Sequence, residues 1–189
     1  MEDRTDEAYA IAVQRGDKEA FGALVERYEE KLLRYGKRFL AERRDVEDIV
    51  QEVFVSAYRN IQSFDPSQRF SPWIYRIAHN AFVDGLRKNS RNPFTLVDFD
   101  TFVSYPVHDD SAERDRDQRE IKTLIDRGLA KLSPKYREVL ILYYAEELSY
   151  KEIADVLRVP IGTVSARVKR AKDELKKVYQ DINLDDYGK

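Results

Sequence analysis

The stretch LSYKEIADVLRVPIGTVSARVKRAKDEL, residues 148–175, decides how the rest of the chain is read. Ser149 with Glu152 three places later is a capping-box pattern, and Ile153, Ala154 and Leu157 give the short helix it opens an apolar face. Val159-Pro160-Ile161-Gly162 predicts a tight break, since proline cannot continue the first helix and Gly162 eases the turn. Thr163 is placed to cap a second helix that carries Val164, Val168, Ala171 and Leu175 on one side. A short helix, a tight turn and an amphipathic second helix are the ingredients of a helix-turn-helix.

On a helical wheel of about 3.6 residues per turn, Ser165, Ala166, Lys169 and Arg170 point away from the apolar stripe, with Arg167 and Lys172 along its borders. Arginine and lysine can meet phosphates or guanine edges, while serine and alanine permit close approach, so this face suits a DNA major groove. The bland alternative is a solvated surface helix, as most charged helical faces are. The capped helix and turn in front of the basic run favour DNA contact.

The chain as a whole carries a formal net charge of -2, so the positive charge is local equipment, and the acidic remainder suppresses indiscriminate binding. Charged residues make up 36% of the 189, aromatics 12%, and only 7 glycines and 6 prolines are present, which predicts a soluble, mostly helical protein. Cysteine is absent, which removes disulfides, thiolate metal sites and thiol nucleophiles. The opening MEDRTDEAYA is acidic and lacks the apolar core of a secretory signal. The longest apolar run, Val139 to Ala145, is too short to cross a bilayer, and a cytoplasmic protein with no direct membrane insertion is expected.

Working back towards the start, Leu24, Val25, Tyr28, Leu32, Leu33, Tyr35 and Phe39 recur at helical spacing, after a Gly16-Asp17 turn and a shorter helical run with Ala20 and Phe21. Val46, Ile49, Val50, Val53, Phe54 and Ala57 form a second stripe that ends near Ser63-Phe64-Asp65-Pro66. Phe70, Trp73, Ile74, Ile77, Ala78 and Ala81 form a third. Residues 1–91 therefore read as one helical unit. From Asn92-Pro93 the helical pattern stops, and residues 92–118 read as an extended acidic linker. Its aromatics Phe94, Phe99, Phe102 and Tyr105 are unusual for a pure spacer and point to docking on a surface. Residues 119–182 form a second unit of four helices, the first with Ile121, Leu124, Ile125, Leu129 and Leu132, the second opening near Val139; residues 183–189 are a tail. The predicted fold class is all-α, two small helical domains joined by that linker.

Two further faces carry candidate residues. In the helix from Asp45 to Arg59, the side opposite the apolar stripe bears Asp48, Gln51, Glu52, Val55 and Arg59, the pattern of an interaction patch, although a single exposed valine is ordinary on any surface. Between Arg69 and Arg91, Arg69, Arg76, Arg87, Lys88 and Arg91 face the single acid Asp84, with Trp73 and Tyr75 interleaved. Basic groups beside aromatics suit partly single-stranded nucleic acid, yet Trp73 also lies on the apolar stripe, where a core role fits at least as well.

Residues 147–175 resemble the region 4 helix-turn-helix of bacterial sigma factors of the extracytoplasmic-function (ECF) group, group IV of the sigma-70 family, and so does LSPKYREVLILYYAEELS before them. Independently, DVEDIVQEVFVSAYRNIQSFDPSQRFSPWIYRIAHNAFVDGLRK resembles region 2 of that family. The two occur in the right order and leave only the extreme ends uncovered.

The resemblance implies a protein that binds core RNA polymerase, through the clamp helices of its beta-prime subunit and the beta flap, and directs it to the minus 35 and minus 10 elements of a specific stress- or envelope-related gene set. It places the pattern Asp45, Asp48, Gln51, Glu52 and Phe54 in the segment that binds core polymerase, with Phe54 read as core, and the outward Val55 of the same face completes the core-binding candidates. Minus 10 recognition and capture of a flipped base fall to the loop 63–70 and the helix after it, with Phe64, Asp65, Gln68, Arg69, Trp73, Tyr75, Arg76, Asn80, Arg87 and Lys88 as candidates. Minus 35 recognition falls to Thr163, Ser165, Ala166, Arg167, Lys169, Arg170 and Lys172. An anti-sigma factor, commonly membrane-bound, is the implied regulator, and the linker is implied to thread towards the RNA exit path of polymerase.

The chief rival is a one-component helix-turn-helix regulator that binds palindromic DNA as a dimer without polymerase. A helical adaptor with no DNA role is a third class. An enzyme is disfavoured: His79 and His108 fall in no metal-ligand spacing, and the chain lacks a Gly-rich phosphate loop and a nucleophile elbow. No metal and no cofactor are expected.

Overall fold

The computed structural model of the protein describes residues 4–37, 39, 43–89 and 124–186. The described residues are helical with no strand, in agreement with the expected all-α class. In chain order the helices are α1 (Asp6–Gln14), α2 (Glu19–Gly36), α3 (Arg43–Asn60), a 3-10 turn at Ile61–Ser63, α4 (Phe70–Asn89), α5 (124–130), α6 (Pro134–Tyr144), α7 (Tyr150–Leu157) and α8 (Ile161–Asp186). The acidic segment 92–118 and its aromatics lie outside the described residues.

The three apolar stripes of the first unit meet in one core. Leu24, Tyr28 and Leu32 of α2, Val46, Val50 and Val53 of α3, and Ile74, Ala78 and Phe82 of α4 are all buried. Gly36 permits this approach, since a Cβ there would overlap the Phe82 ring and the Val46 side chain. Ala20 and Phe21 belong to α2 itself and not to a separate run.

α1 is a helix that the apolar periodicity did not predict. Only Ala10 and Val13 of it are buried, so its stripe is thin, but its ends are well signalled. The Thr5 side chain caps Ala8 N, Asp6 and Glu7 lie in the first turn, and Gly16 at φ 101° reverses the chain towards α2. Asp6 pins α1 to α2, accepting from Arg27 Nη1 at 2.7 Å and from the Tyr28 hydroxyl at 2.6 Å.

In the second unit Pro134 opens α6 at its first turn, as proline can. The C-terminal carbonyls of α5 are closed by Arg137, whose Nε donates to Leu129 O at 2.7 Å and whose Nη2 donates to Ala130 O and Leu132 O at 3.0 Å each. The capping box of α7 forms as read: Glu152 N donates to Ser149 Oγ, and Ser149 N donates to Glu152 Oε2 at 2.7 Å.

The turn after α7 differs from the expectation. α7 stops at Arg158 in the left-handed region (φ 54°), and α8 already begins at Ile161. The Pro160 carbonyl accepts from Thr163 N at 2.8 Å, so Thr163 lies inside the first turn and does not cap the helix. Gly162 is helical, and the turning is done by Arg158.

The two units pack against each other, α4 against α7. α6 is buried from Tyr136 through Leu142 because it also meets the first unit. There the Glu138 carboxylate, 6% exposed, accepts from the Tyr35 hydroxyl of α2 at 2.5 Å and lies 2.8 Å from His79 Nδ1 of α4.

Candidate functional site

α8 exposes the side the wheel indicated. Val164, Val168 and Ala171 are buried against α6 and α7, while Ser165, Ala166, Lys169 and Arg170 are exposed; Thr163 and Arg167 are half-buried at the border. Lys172 is exposed but points to the flank, its ammonium 5.3 Å from the Tyr144 ring and 5.7 Å from that of Tyr143. The neighbouring Tyr144 hydroxyl raises its pKa, and the ammonium lies within cation–π reach of both rings. The chemistry of this face is three cations around two small side chains on an unobstructed helix. It can neutralise phosphates and bring a backbone close to base edges.

On α3, Asp48, Gln51, Glu52 and Val55 are exposed, Val55 at 50%, and Asp45 is half-buried. Asp45, Asp48 and Glu52 line a cleft with Ser56 of α3 and Ile77, Asn80, Asp84 and Lys88 of α4. Asn80 thus shares a cleft with the acidic residues of α3 and lies away from the loop 63–70.

The loop and the start of α4 divide into two layers. Phe64, Trp73 and Tyr75 are at most 9% exposed: Trp73 takes the core role that its apolar stripe offered, and burial of Phe64 and Tyr75 corrects their placing among residues that face DNA. The Phe64 and Phe70 rings meet edge to face at 5.4 Å, with Trp73 within 5.5 Å of both. These rings fill the apolar space beneath the loop, where burial of so much aromatic area outweighs any surface role. Tyr75 is buried with no hydrogen-bond partner for its hydroxyl, and burial with the nearby Glu146 carboxylate raises its pKa.

Asp65, Gln68, Arg69 and Arg76 remain exposed, as do Arg87 and Lys88 further along α4. Asp65 shapes the loop by accepting from Ser67 N at 2.9 Å, and that bond lowers its pKa. Arg69 is engaged by the second unit: its Nη1 donates to Glu147 O at 3.2 Å and lies 3.4 Å from Glu152. Glu152 and Asp155 of α7 complete a crevice with Asp65, Gln68, Arg69 and Arg76. The Glu152 carboxylate of the second unit therefore lies beside the Arg69 guanidinium in this crevice.

Sequence reasoning missed three features here. α1 holds the loop: Gln14 Nε2 donates to Ile61 O and Phe64 O at 2.8 Å each, and Glu7 Oε1 accepts from Phe70 N at 2.9 Å. The buried Tyr35–Glu138–His79 group joins elements far apart in the chain. An apolar groove lined by Ile125, Leu129, Ile141, Tyr144, Leu175 and Tyr179 opens between α5, α6 and α8. Thr5-Asp6-Glu7 is the only local signal that pointed to any of the three.

Residues 24–92 match the family model of Sigma-70 region 2, and residues 122–175 match that of Sigma-70, region 4. The ECF RNA polymerase sigma factor SigW of Bacillus subtilis is 37% identical over 90% of this chain and 94% of its own. The chain belongs to the ECF sigma factors of the sigma-70 family. The RNA polymerase sigma-H factor of Pseudomonas aeruginosa is 34% identical over 94% of this chain and 95% of its own, and the sigma-E factor of Escherichia coli K12 is 31% identical over 96% and 97%. Among solved structures, that of CnrH in complex with the cytosolic domain of CnrY is similar at 27% identity and TM-score 0.66, covering 94% of this sigma factor and 99% of CnrH. As a sigma factor the protein is a transcription initiation factor that works with core RNA polymerase at promoter DNA, and not an enzyme. Among its described residues no helix is long and apolar enough to cross a membrane.

Proposed function

We propose that this sigma factor divides its work among three faces. α8, through Arg167, Lys169 and Arg170 around Ser165 and Ala166, enters the major groove of the minus 35 element. The exposed layer of the loop, Asp65, Gln68 and Arg69, together with Arg76, Arg87 and Lys88 of α4, engages the minus 10 element. Asp45, Asp48, Gln51, Glu52 and Val55 dock on the clamp helices of the beta-prime subunit, with Asn80 in the cleft beside them. The apolar groove between α5, α6 and α8 fits a helix of the beta flap, since Ile125 and Tyr144 at its edge are 46% and 59% exposed.

The observation that carries this reading is the basic, small-faced side of α8 standing clear behind a capped helix and a three-residue turn. In this reading residues 1–91 and 119–182 are the two working domains, and promoter engagement draws α7 away from α4, so that Arg69 exchanges Glu152 for a phosphate. The gene set is stress- or envelope-related. The regulator is an anti-sigma factor, and the place of action is the cytoplasm, where polymerase is.

Run-off transcription from fragmented genomic DNA of the source organism, with bacterial core polymerase with and without the protein, tests the reading. Discrete transcripts that require the protein support it and give the promoter elements. Absence of both core binding and transcripts rejects it.

A further inference from the structure

The loop between α3 and α4 is held at both ends by a helix outside the matched region 2 segment, residues 24–92. Gln14, the last residue of α1, uses both amide hydrogens, one on Ile61 O and one on Phe64 O, at 2.8 Å each. Gln62 Nε2 returns a bond to Gln14 O at 3.0 Å. Two turns earlier on the same helix, about 10 Å along its axis, Glu7 Oε1 accepts from Phe70 N at 2.9 Å, where α4 begins. Between these anchors stand the exposed Asp65, Ser67, Gln68 and Arg69.

A rigid helix that fixes both feet of a short arch fixes the direction of every side chain on it. α1 is itself rigid, capped by Thr5, tied to Arg27 and Tyr28 through Asp6, and packed through Ala10 and Val13. The anchors are polar and directional, so they set register as well as cohesion: two amide hydrogens meet two carbonyls, and one carboxylate meets one backbone N–H. Beneath the arch Phe64 and Phe70 fill the core, which leaves the outward residues little freedom to rotate the loop as a body.

We infer that Gln14 and Glu7 are positioning residues for promoter recognition, holding the loop so that its outward side chains discriminate between bases of the minus 10 strand. The inference rests on the assignment of this loop to the minus 10 element. Selectivity is sensitive to such supports, because a reading side chain displaced by an ångström loses the correct base without gaining another.

The test uses the full chain with core polymerase on a promoter recovered by run-off transcription, and on the same promoter with single-base substitutions in its minus 10 element. Gln14→Met keeps length and removes both donors. Gln14→Glu keeps shape and sets a carboxylate against two carbonyls. Glu7→Gln retains an acceptor for Phe70 N, and Glu7→Ala does not.

The ratio of open-complex formation on parent against substituted promoters should fall about tenfold for both Gln14 variants and for Glu7→Ala, the scale of one or two missing hydrogen bonds. Glu7→Gln should keep most of the ratio. Affinity for core polymerase and for a minus 35 duplex should stay within about twofold of the parent for all four.

An unchanged ratio in the Gln14 variants, with Gln68→Ala and Arg69→Ala lowering it, overturns the inference and leaves the loop assignment standing. An unchanged ratio in the loop variants as well removes the loop assignment, and the inference with it. A parallel loss of core, minus 35 and minus 10 binding in both Gln14 variants also overturns it, because α1 would then serve folding alone.

Discussion

The Tyr35 hydroxyl of α2 donates to the Glu138 carboxylate of α6 at 2.5 Å, across 103 positions of the chain, inside the contact between the two helical units. His79 Nδ1 shares the same oxygen at 2.8 Å. A buried carboxylate costs free energy unless its lone pairs are used, so the pair holds the units in one register.

Removing that carboxylate should loosen the contact. Glu138→Ala leaves the buried Tyr35 hydroxyl without its acceptor, which costs about 1–3 kcal/mol. With no native cysteine in the chain, spin labels on cysteines introduced at the exposed Glu29 and Lys176 report the separation of the units. Their distance distribution should broaden and lengthen in the variant; an unchanged distribution would show that the packing does not depend on Glu138.

Arg69 and Glu152 make a weaker join. Arg69 is half exposed and the closest N···O distance is 3.4 Å, so solvent screens most of the attraction. A double-mutant cycle on urea unfolding, with Arg69→Ala and Glu152→Ala, should give a coupling below about 1 kcal/mol. Most of the cost of Glu152→Ala should persist in the double variant, because Glu152 also closes the capping box of α7. A larger coupling would mean that this ion pair, and not Glu138, dominates the contact.

Alkaline pH should unfold the protein through buried tyrosines. Burial is the first cause that raises the pKa of Tyr28, Tyr35 and Tyr75, with Asp6, Glu138 and Glu146 respectively adding to it. Their stability contribution is whole below the unfolded tyrosine value of about 10. Above it the unfolded chain ionises first, and stability falls by about 1.4 kcal/mol per pH unit for each such group until the folded value is passed. Tyr35→Phe should make the decline measured by urea titrations above pH 10 shallower by one group; an identical slope would mean that Tyr35 ionises freely in the fold.

On α8, Arg167→Ala with Arg170→Ala should weaken binding to a promoter duplex and reduce the slope of log K against log salt by about 0.9 for each phosphate left without its cation. Ser165→Ala should leave the slope intact, since a hydroxyl releases no counterion. A salt slope unchanged in the double arginine variant would take the minus 35 element away from this face.

The helix-turn-helix is legible because its signals are local. Ser149 and Glu152 are three residues apart, and the alternation of Val164, Val168 and Ala171 with Ser165, Lys169 and Arg170 is a property of one helix. The turn is less legible: Pro160 stands out, yet the left-handed residue is Arg158, and backbone sign is not written in a side chain that tolerates both. The aromatics of the loop mislead for another reason. Phe64 stands between Ser63 and Asp65, and Tyr75 lies beside Arg76, off the stripe of Trp73, Ile74 and Ile77, so only tertiary packing decides that both turn inward.

Fold class and the basic face of α8 are thus legible in the sequence through periodicity and capping, which act over a few residues, and the family through the resemblance of two stretches in the right order. Tertiary structure decided what depends on partners far apart in the chain. It set Glu138 against Tyr35 and His79, laid Glu152 and Asp155 beside Arg69, and brought Gln14 to carbonyls almost fifty positions away. A hydrogen bond between distant residues leaves no pattern in either segment. It exists only when the core has closed and burial has made each polar group find its partner.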